Sequence, residues 1–146
     1  MKLKSSNQFI DYESNVKIKL ASLWTTLMFL YIYADYFDLK TPGAIKGLMH
    51  LKTPVGSTTP GLLIIFSVIL IIPSMMIFLS IFLKPRINKW LNIFLGIIYA
   101  VISILIIISD VGDKWQYFFV LFNVVEVFVF SIIIWKAWTW PITVKN

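Results

Sequence analysis

Four stretches of this chain are apolar for long enough to cross a lipid bilayer. Residues 61–83 and 90–109 carry no charge, residues 115–135 carry only Glu126, and residues 20–39 are uncharged as far as Asp35. A helix rises about 1.5 Å per residue, so about 20 apolar residues cross a hydrocarbon core of about 30 Å. Such a stretch satisfies its backbone polar groups in lipid only as a helix. The sequence therefore predicts an all-α fold, a membrane-spanning antiparallel four-helix bundle.

Composition excludes several other classes of protein. Of the 146 residues, 59% are hydrophobic and 14% are charged, whereas soluble domains carry about 25% charged residues. The chain has no cysteine and one histidine, which removes disulfides and thiolate metal sites and leaves little for zinc chemistry. No catalytic motif such as G-x-S-x-G or H-E-x-x-H is present. We expect neither an enzyme nor a cofactor.

The predicted segments follow from these stretches and the connections between them. The short connections require antiparallel neighbours, while the long outer loop places apolar residues among Lys46, His50 and Lys52, as in a short amphipathic helix. A cleaved signal peptide is the alternative for the first stretch, but no small-residue cleavage site follows it. In chain order we predict a cytoplasmic N-terminal segment (1–19), transmembrane helix 1 (20–39), an outer loop with a short amphipathic helix (40–60), transmembrane helix 2 (61–83), a cytoplasmic loop (84–89), transmembrane helix 3 (90–109), an outer loop (110–114), transmembrane helix 4 (115–135) and a cytoplasmic tail (136–146).

The distribution of basic residues predicts the orientation of the bundle. The net charge of +6 indicates orientation in a bilayer rather than nucleic-acid binding, because Lys and Arg accumulate on the cytoplasmic side. Four basic residues fall on the predicted outer side, and nine fall on the side of the termini: Lys2, Lys4, Lys17, Lys19, Lys84, Arg86, Lys89, Lys136 and Lys145. We expect both termini in the cytoplasm, with the protein in a bacterial inner membrane.

Glu126 is the most informative polar residue, because it falls in the middle of the fourth stretch. An ionised carboxylate at that depth costs several kcal/mol, so its side chain must face protein or water, or carry a proton. Asn123 is one turn away on the same helical face. The two residues predict a polar stripe that relays a proton or cation or binds a ligand. The alternative is a neutral Glu126 that only joins neighbouring helices by a hydrogen bond.

A second group of polar residues is predicted at the outer boundary. Tyr31, Asp35 and Asp38 share one helical face, and Asp110 and Asp113 reach the same boundary from the third and fourth stretches. Four carboxylates at one mouth can bind a hard cation through oxygen ligands, so Asp110 and Asp113 are candidates for a metal site. The alternative is that these carboxylates form salt bridges with outer lysines and that Asp110 or Asp113 caps the fourth helix.

Two further features concern the second and third stretches. Pro73 removes a backbone donor, which predicts a helix kink and an open carbonyl near Ile69. Asn88 and Asn92 lie one turn apart beside three basic residues. We expect these asparagines to cap the third helix and to meet lipid headgroups.

These residues also carry a resemblance to a known family. The stretch from Pro73 to Asn92, the Tyr33-Ala34-Asp35 ending of the first span, and Glu126 followed by Trp135, Trp138 and Pro141 resemble a family of small uncharacterised bacterial four-helix membrane proteins. The resemblance covers most of the chain and implies a four-helix bundle with overall likeness to DoxX-type membrane proteins. It implies no activity. The family pattern places an acid two positions before the proline, where this chain has Ile71.

Three classes of function remain open from the sequence. The first is a non-enzymatic binding or transport module for a proton, a cation or a small amphipathic solute, with Asp35 and Asp38 at an outer mouth and Glu126 with Asn123 deeper. The second is an accessory subunit of a membrane complex, in which the same groups only fix helix packing. The third, a quinone-dependent redox enzyme, has only the DoxX-type likeness behind it. The expected partners are the lipid bilayer and either further copies of the chain or another membrane protein, but no nucleic acid.

Overall fold

The structure is a computed structural model that describes residues 14–53 and 56–141. Most of the predicted N-terminal segment and the end of the predicted tail lie outside the described residues. Within these residues the fold is all-α, as predicted, except for one short β-hairpin. In chain order its elements are α1 (Val16–Asp38), α2 (Ala44–Met49), β1 (Lys52–Thr53), β2 (Gly56–Ser57), α3 (Pro60–Phe82), α4 (Pro85–Asp110), a 3₁₀ helix (Lys114–Gln116) and α5 (Tyr117–Trp138).

Within residues 14–53 and 56–141, three helical segments are long and apolar enough to cross a membrane: α3, α4 and the run Lys114–Trp138 that contains α5. These coincide with the three strongest stretches of the sequence, and they support an integral membrane protein. The 23-residue α1 is not one of the three. Its sequence includes threonines, tyrosines and two aspartates, which lower its hydropathy.

The four long helices pack side by side, each antiparallel to its main neighbours. The most extensive contact joins α4 to α5, and α1 contacts both α3 and α5, whereas α3 touches α4 little. The Lys17 ammonium donates to the carbonyl of Leu83 (2.7 Å), which places the start of α1 at the end of α3. The Lys89 ammonium likewise donates to the Trp138 carbonyl (2.9 Å). The least apolar long helix, α1, therefore lies between two others.

Gly96 explains how closely α4 and α5 approach. The residue is buried on α4, and a Cβ added there would lie 2.9 Å from Cγ1 of Ile134 on α5. Small residues at this kind of position let helix backbones pack tightly, which is the usual basis of helix association in lipid.

The start of α4 differs from the prediction. The helix begins at Pro85 rather than at residue 90, because proline is already fixed in a helical φ and needs no amide donor in the first turn. Asn88 and Asn92 therefore lie inside the helix, where both are fully buried. Our prediction that they cap the helix and meet lipid headgroups was wrong.

The long loop between α1 and α3 contains the predicted short helix and an unpredicted hairpin. None of the residues of α2 is buried, and Met49 is 79% exposed. After α2, β1 pairs with β2 antiparallel. Leu51 turns the chain between helix and hairpin with a φ of 54°, which is uncommon for a residue with a bulky side chain.

Candidate functional site

Glu126 lies on the buried face of α5, where only 3% of its surface is exposed. The hydroxyl of Ser103, which is 2% exposed on α4, donates to Oε2 of Glu126 at 2.9 Å. The carboxyl group is thus enclosed between two closely packed helices. We call Glu126, Ser103, Tyr31, Asp35 and Asn123 the carboxyl site.

The α1 side of the carboxyl site is formed by Tyr31 and Asp35. Both residues lie on α1, which packs against α5, and they are one helical turn apart. Tyr31 is half-buried and Asp35 is exposed, while Ala34, next to Asp35, is buried. Among the described residues, the side-chain hydrogen bond to the Glu126 carboxyl comes from Ser103 rather than from either of these two residues.

Asn123 shares the buried face of α5 with Glu126, as predicted, and is 2% exposed. Its amide donates to the carbonyl of Phe119 in its own helix at 2.9 Å. Because Glu126 bonds to Ser103 instead, the two side chains are neighbours with separate hydrogen-bond partners.

The other predicted carboxylates do not converge. Asp38 accepts from the Gln116 amide at 3.3 Å, and Asp110 accepts from the adjacent Ser109 hydroxyl at 2.6 Å. Asp113 accepts from the backbone amide of Trp115 at 2.9 Å and caps the 3₁₀ helix. Within residues 14–53 and 56–141, no three acidic, histidine or cysteine side chains come together in a way that could hold a metal ion.

A second buried polar group lies toward the other end of the helices, and we call it the asparagine cluster. The indole of Trp24 donates to Oδ1 of Asn92 at 2.7 Å. The amide of Asn92 donates to Oδ1 of Asn88 at 2.6 Å, and the amide of Asn88 donates to the carbonyl of Ser80. All four side chains are fully buried, so the cluster joins α1, α3 and α4.

Pro73 is buried in α3, and the structure shows what happens to the carbonyl that it leaves open. The predicted carbonyl, that of Ile69, accepts a hydrogen bond of 2.7 Å from the Tyr99 hydroxyl on α4. The ring of Tyr99 packs edge-on against Trp24, with ring centroids 6.3 Å apart. A cross-helix bond thus replaces the intrahelical bond that proline removes.

Sequence reasoning missed Trp24, Tyr99 and Ser103. A signal was present for each, because Trp and Tyr carry one polar atom that requires a partner when the ring is buried. A serine in an apolar stretch likewise offers a hydroxyl to a neighbouring helix. The sequence does not predict how each helix is rotated about its axis, and this rotation determines which polar side chains of neighbouring helices come into contact.

The structure also has two open surface grooves. One, of about 510 Å³, lies along α4 beside Arg86 and Trp90. The other, of about 340 Å³, lies between α1 and α5 beside Lys19 and Lys136. Glu126 lines neither of them.

Comparison with known proteins places the chain in a family. Residues 7–144 match the family of unknown function DUF6326. Because the match covers almost the whole chain, the protein belongs to that family, and the predicted resemblance to an uncharacterised family is confirmed. No curated protein and no solved structure is similar enough to match. These comparisons add no evidence for a likeness to DoxX-type proteins.

Proposed function

We propose that all four long helices cross a bacterial inner membrane as a four-helix bundle, with overall likeness to DoxX-type proteins and with both termini in the cytoplasm. Support comes from charge. The starts of α1 and α4 and the ends of α3 and α5 lie together, and this basic end carries Lys17, Lys19, Lys84, Arg86, Lys89 and Lys136. The opposite, loop end mixes lysines with Asp35, Asp38, Asp110 and Asp113. Basic residues mark the cytoplasmic side.

Cysteine labelling in intact cells tests this orientation. Ser57→Cys at the loop end should react with an impermeant maleimide, and Arg86→Cys at the basic end should react only after permeabilisation. Both positions are exposed, whereas Asn88 is fully buried and unsuitable. The reverse labelling pattern would contradict the proposed orientation.

We further propose that the protein is a non-enzymatic membrane module that binds a proton at Glu126 and exchanges it with the outer side. The observation that carries this proposal is the enclosure of Glu126, which is 3% exposed and bonded to Ser103. Of a proton, a cation and a small amphipathic solute, a proton is the species best suited to so enclosed a carboxyl, because it needs no cavity.

The surroundings of Glu126 favour the protonated carboxyl at rest. An ionised carboxylate in the bilayer centre costs several kcal/mol, and the hydrogen bond that Glu126 accepts comes from the neutral hydroxyl of Ser103. A relay through the Tyr31 hydroxyl requires a hydrogen bond on each side of it, so that its oxygen gains one proton as it gives up its own. Asp35, exposed at the loop end, would take the proton from water.

Proton flux in proteoliposomes tests the proposal. When the outer pH is lowered, wild-type protein should take up one proton more per chain than Glu126→Gln, and Asp35→Asn should slow this flux. Asp110→Asn is the matched control, because it also removes a carboxylate from the loop end but the Asp110 side chain bonds to Ser109. Proton uptake by Glu126→Gln equal to that of the wild type would remove this residue from the mechanism.

A second candidate is the accessory subunit in which Glu126 only joins α5 to α4. The hydrogen bond from Ser103 favours this second function, because a neutral carboxyl group can join two helices by a hydrogen bond. In that case Glu126→Gln keeps the stability of the fold, whereas Glu126→Leu loses about 1 kcal/mol through the orphaned Ser103 hydroxyl. Proton uptake that is the same in both variants and the wild type would favour this second function.

A further inference from the structure

The groove between α1 and α5 has a cationic end and an apolar wall. Its lining comprises Ser14, Ile18, Lys19, Ser22, Leu23, Thr26, Ile132 and Lys136. The two lysines come from different helices and both are half-buried. None of these described lining residues is acidic, so both charges that the described part of the groove carries are positive.

The depth of these residues fits the boundary of a bilayer. Lys19 directly precedes the apolar part of α1, and Lys136 lies in the last turn of α5 beside Trp135, which is 60% exposed. Trp and Lys side chains at helix ends favour the interface between headgroups and hydrocarbon. From Lys19 to Thr26 the groove follows α1 for about 10 Å at 1.5 Å per residue, which reaches from the interface into the hydrocarbon.

The hydroxyl groups of Ser22 and Thr26 along the groove are bonded within α1, so the groove can still accommodate an acyl chain. Ser22 donates to the carbonyl of Ile18 at 2.9 Å, and Thr26 donates to that of Ser22 at 3.0 Å. Because their protons are used within α1, these side chains present mainly carbon and a weakly polar oxygen. Leu23 and Ile132 complete an apolar wall.

We infer that this groove binds one anionic phospholipid, with the headgroup phosphate between Lys19 and Lys136 and the first part of an acyl chain along Leu23, Thr26 and Ile132. A volume of about 340 Å³ is at the lower end of the range for ligand pockets, so the groove holds part of a lipid. Charge complementarity selects an anionic headgroup over a zwitterionic one. The inference uses the membrane placement proposed above and is independent of proton binding at Glu126.

Native mass spectrometry of the purified full chain tests the inference with phosphatidylglycerol and phosphatidylcholine of the same acyl chains. Each lysine near an anionic surface contributes about a fivefold gain in binding, so Lys19→Gln with Lys136→Gln should weaken phosphatidylglycerol binding roughly 25-fold. Phosphatidylcholine binding should not change. Lys46→Gln with Lys52→Gln, which removes the same charge from the loop end, should behave as wild type.

A second variant tests the acyl part of the site without changing charge. Thr26→Trp places a large side chain in the groove at an exposed position of α1. Ser131→Trp is the matched control, because it places the same side chain at an exposed position of α5 that does not line the groove. Only Thr26→Trp should weaken phosphatidylglycerol binding. Equal binding of phosphatidylglycerol by the double lysine variant and the wild type would overturn the inference. Competition by inorganic phosphate as effective as that by the lipid would overturn the role of the acyl chain.

Discussion

The asparagine cluster and the carboxyl site are both buried and polar, but they are bonded very differently. In the asparagine cluster Trp24, Asn88 and Asn92 form a continuous chain of hydrogen bonds across α1, α3 and α4. In the carboxyl site Glu126 receives one bond from Ser103, and Asn123 bonds only within its own helix. The first region holds neutral groups in a fixed arrangement, whereas the second contains carboxyl groups, which can gain or lose a proton.

This difference separates polar groups that stabilise the fold from polar groups that can change their charge. Neutral amide and indole groups deep in lipid stabilise a fold when all of them have partners, because an orphaned polar atom is costly there. A carboxyl group brings a further option, since its charge changes when it exchanges a proton. This contrast agrees with our proposal that the asparagine cluster serves packing and the carboxyl site binds a proton.

Among the substitutions that test this comparison, Asn92→Ala should have the largest effect on the stability of the fold. Asn92→Ala should lower the free energy of unfolding by about 2 kcal/mol, because the Trp24 indole loses its partner across the helices and the Asn88 amide oxygen loses its partner within α4. Asn123→Ala should cost about 0.5 kcal/mol, because its amide bonds only within α5. Denaturant unfolding in detergent micelles measures both. Equal losses would remove the distinction between the two regions.

A smaller effect is expected at Tyr99, whose hydroxyl bonds to the carbonyl opened by Pro73. Tyr99→Phe should cost about 1 kcal/mol in the wild type by orphaning that carbonyl. In a Pro73→Ala background the new amide at position 73 bonds to Ile69 within α3, so Tyr99→Phe should then cost much less. A double-mutant cycle in detergent measures this coupling. Additive losses would show that the hydroxyl does not compensate for the proline.

The smallest effect is expected at Ser80. Its hydroxyl is the one buried side-chain polar atom without a hydrogen-bond partner in the described part of the chain. Ser80→Ala should leave stability unchanged or raise it by up to about 0.5 kcal/mol, because it removes an unpaired polar atom and keeps the backbone carbonyl that Asn88 uses. A loss of more than 1 kcal/mol on thermal unfolding would mean that the hydroxyl has a partner, such as bound water.

Particular residues show how far the sequence leads and where it stops. Length and hydropathy predict the long helices, and the backbone chemistry of proline predicts that the Ile69 carbonyl opens. Tyr99 as the partner of that carbonyl, and Ser103 as the partner of Glu126, depend on how α4 is rotated against its neighbours. Asn88 and Asn92 were misassigned because a proline five residues before the apolar stretch extends α4, which moves both asparagines from the helix end into the interior.

The central claim is that Glu126 exchanges a proton while the asparagine cluster does not change. Infrared difference spectroscopy of the protein in lipid, recorded as the pH is changed, measures this directly through the carbonyl stretch of a protonated carboxyl group. We predict a reversible pH-dependent band of that kind in the wild type that is missing from the difference spectrum of Glu126→Gln and is kept in that of Asp110→Asn. Identical pH-difference spectra of the wild type and Glu126→Gln would contradict the account.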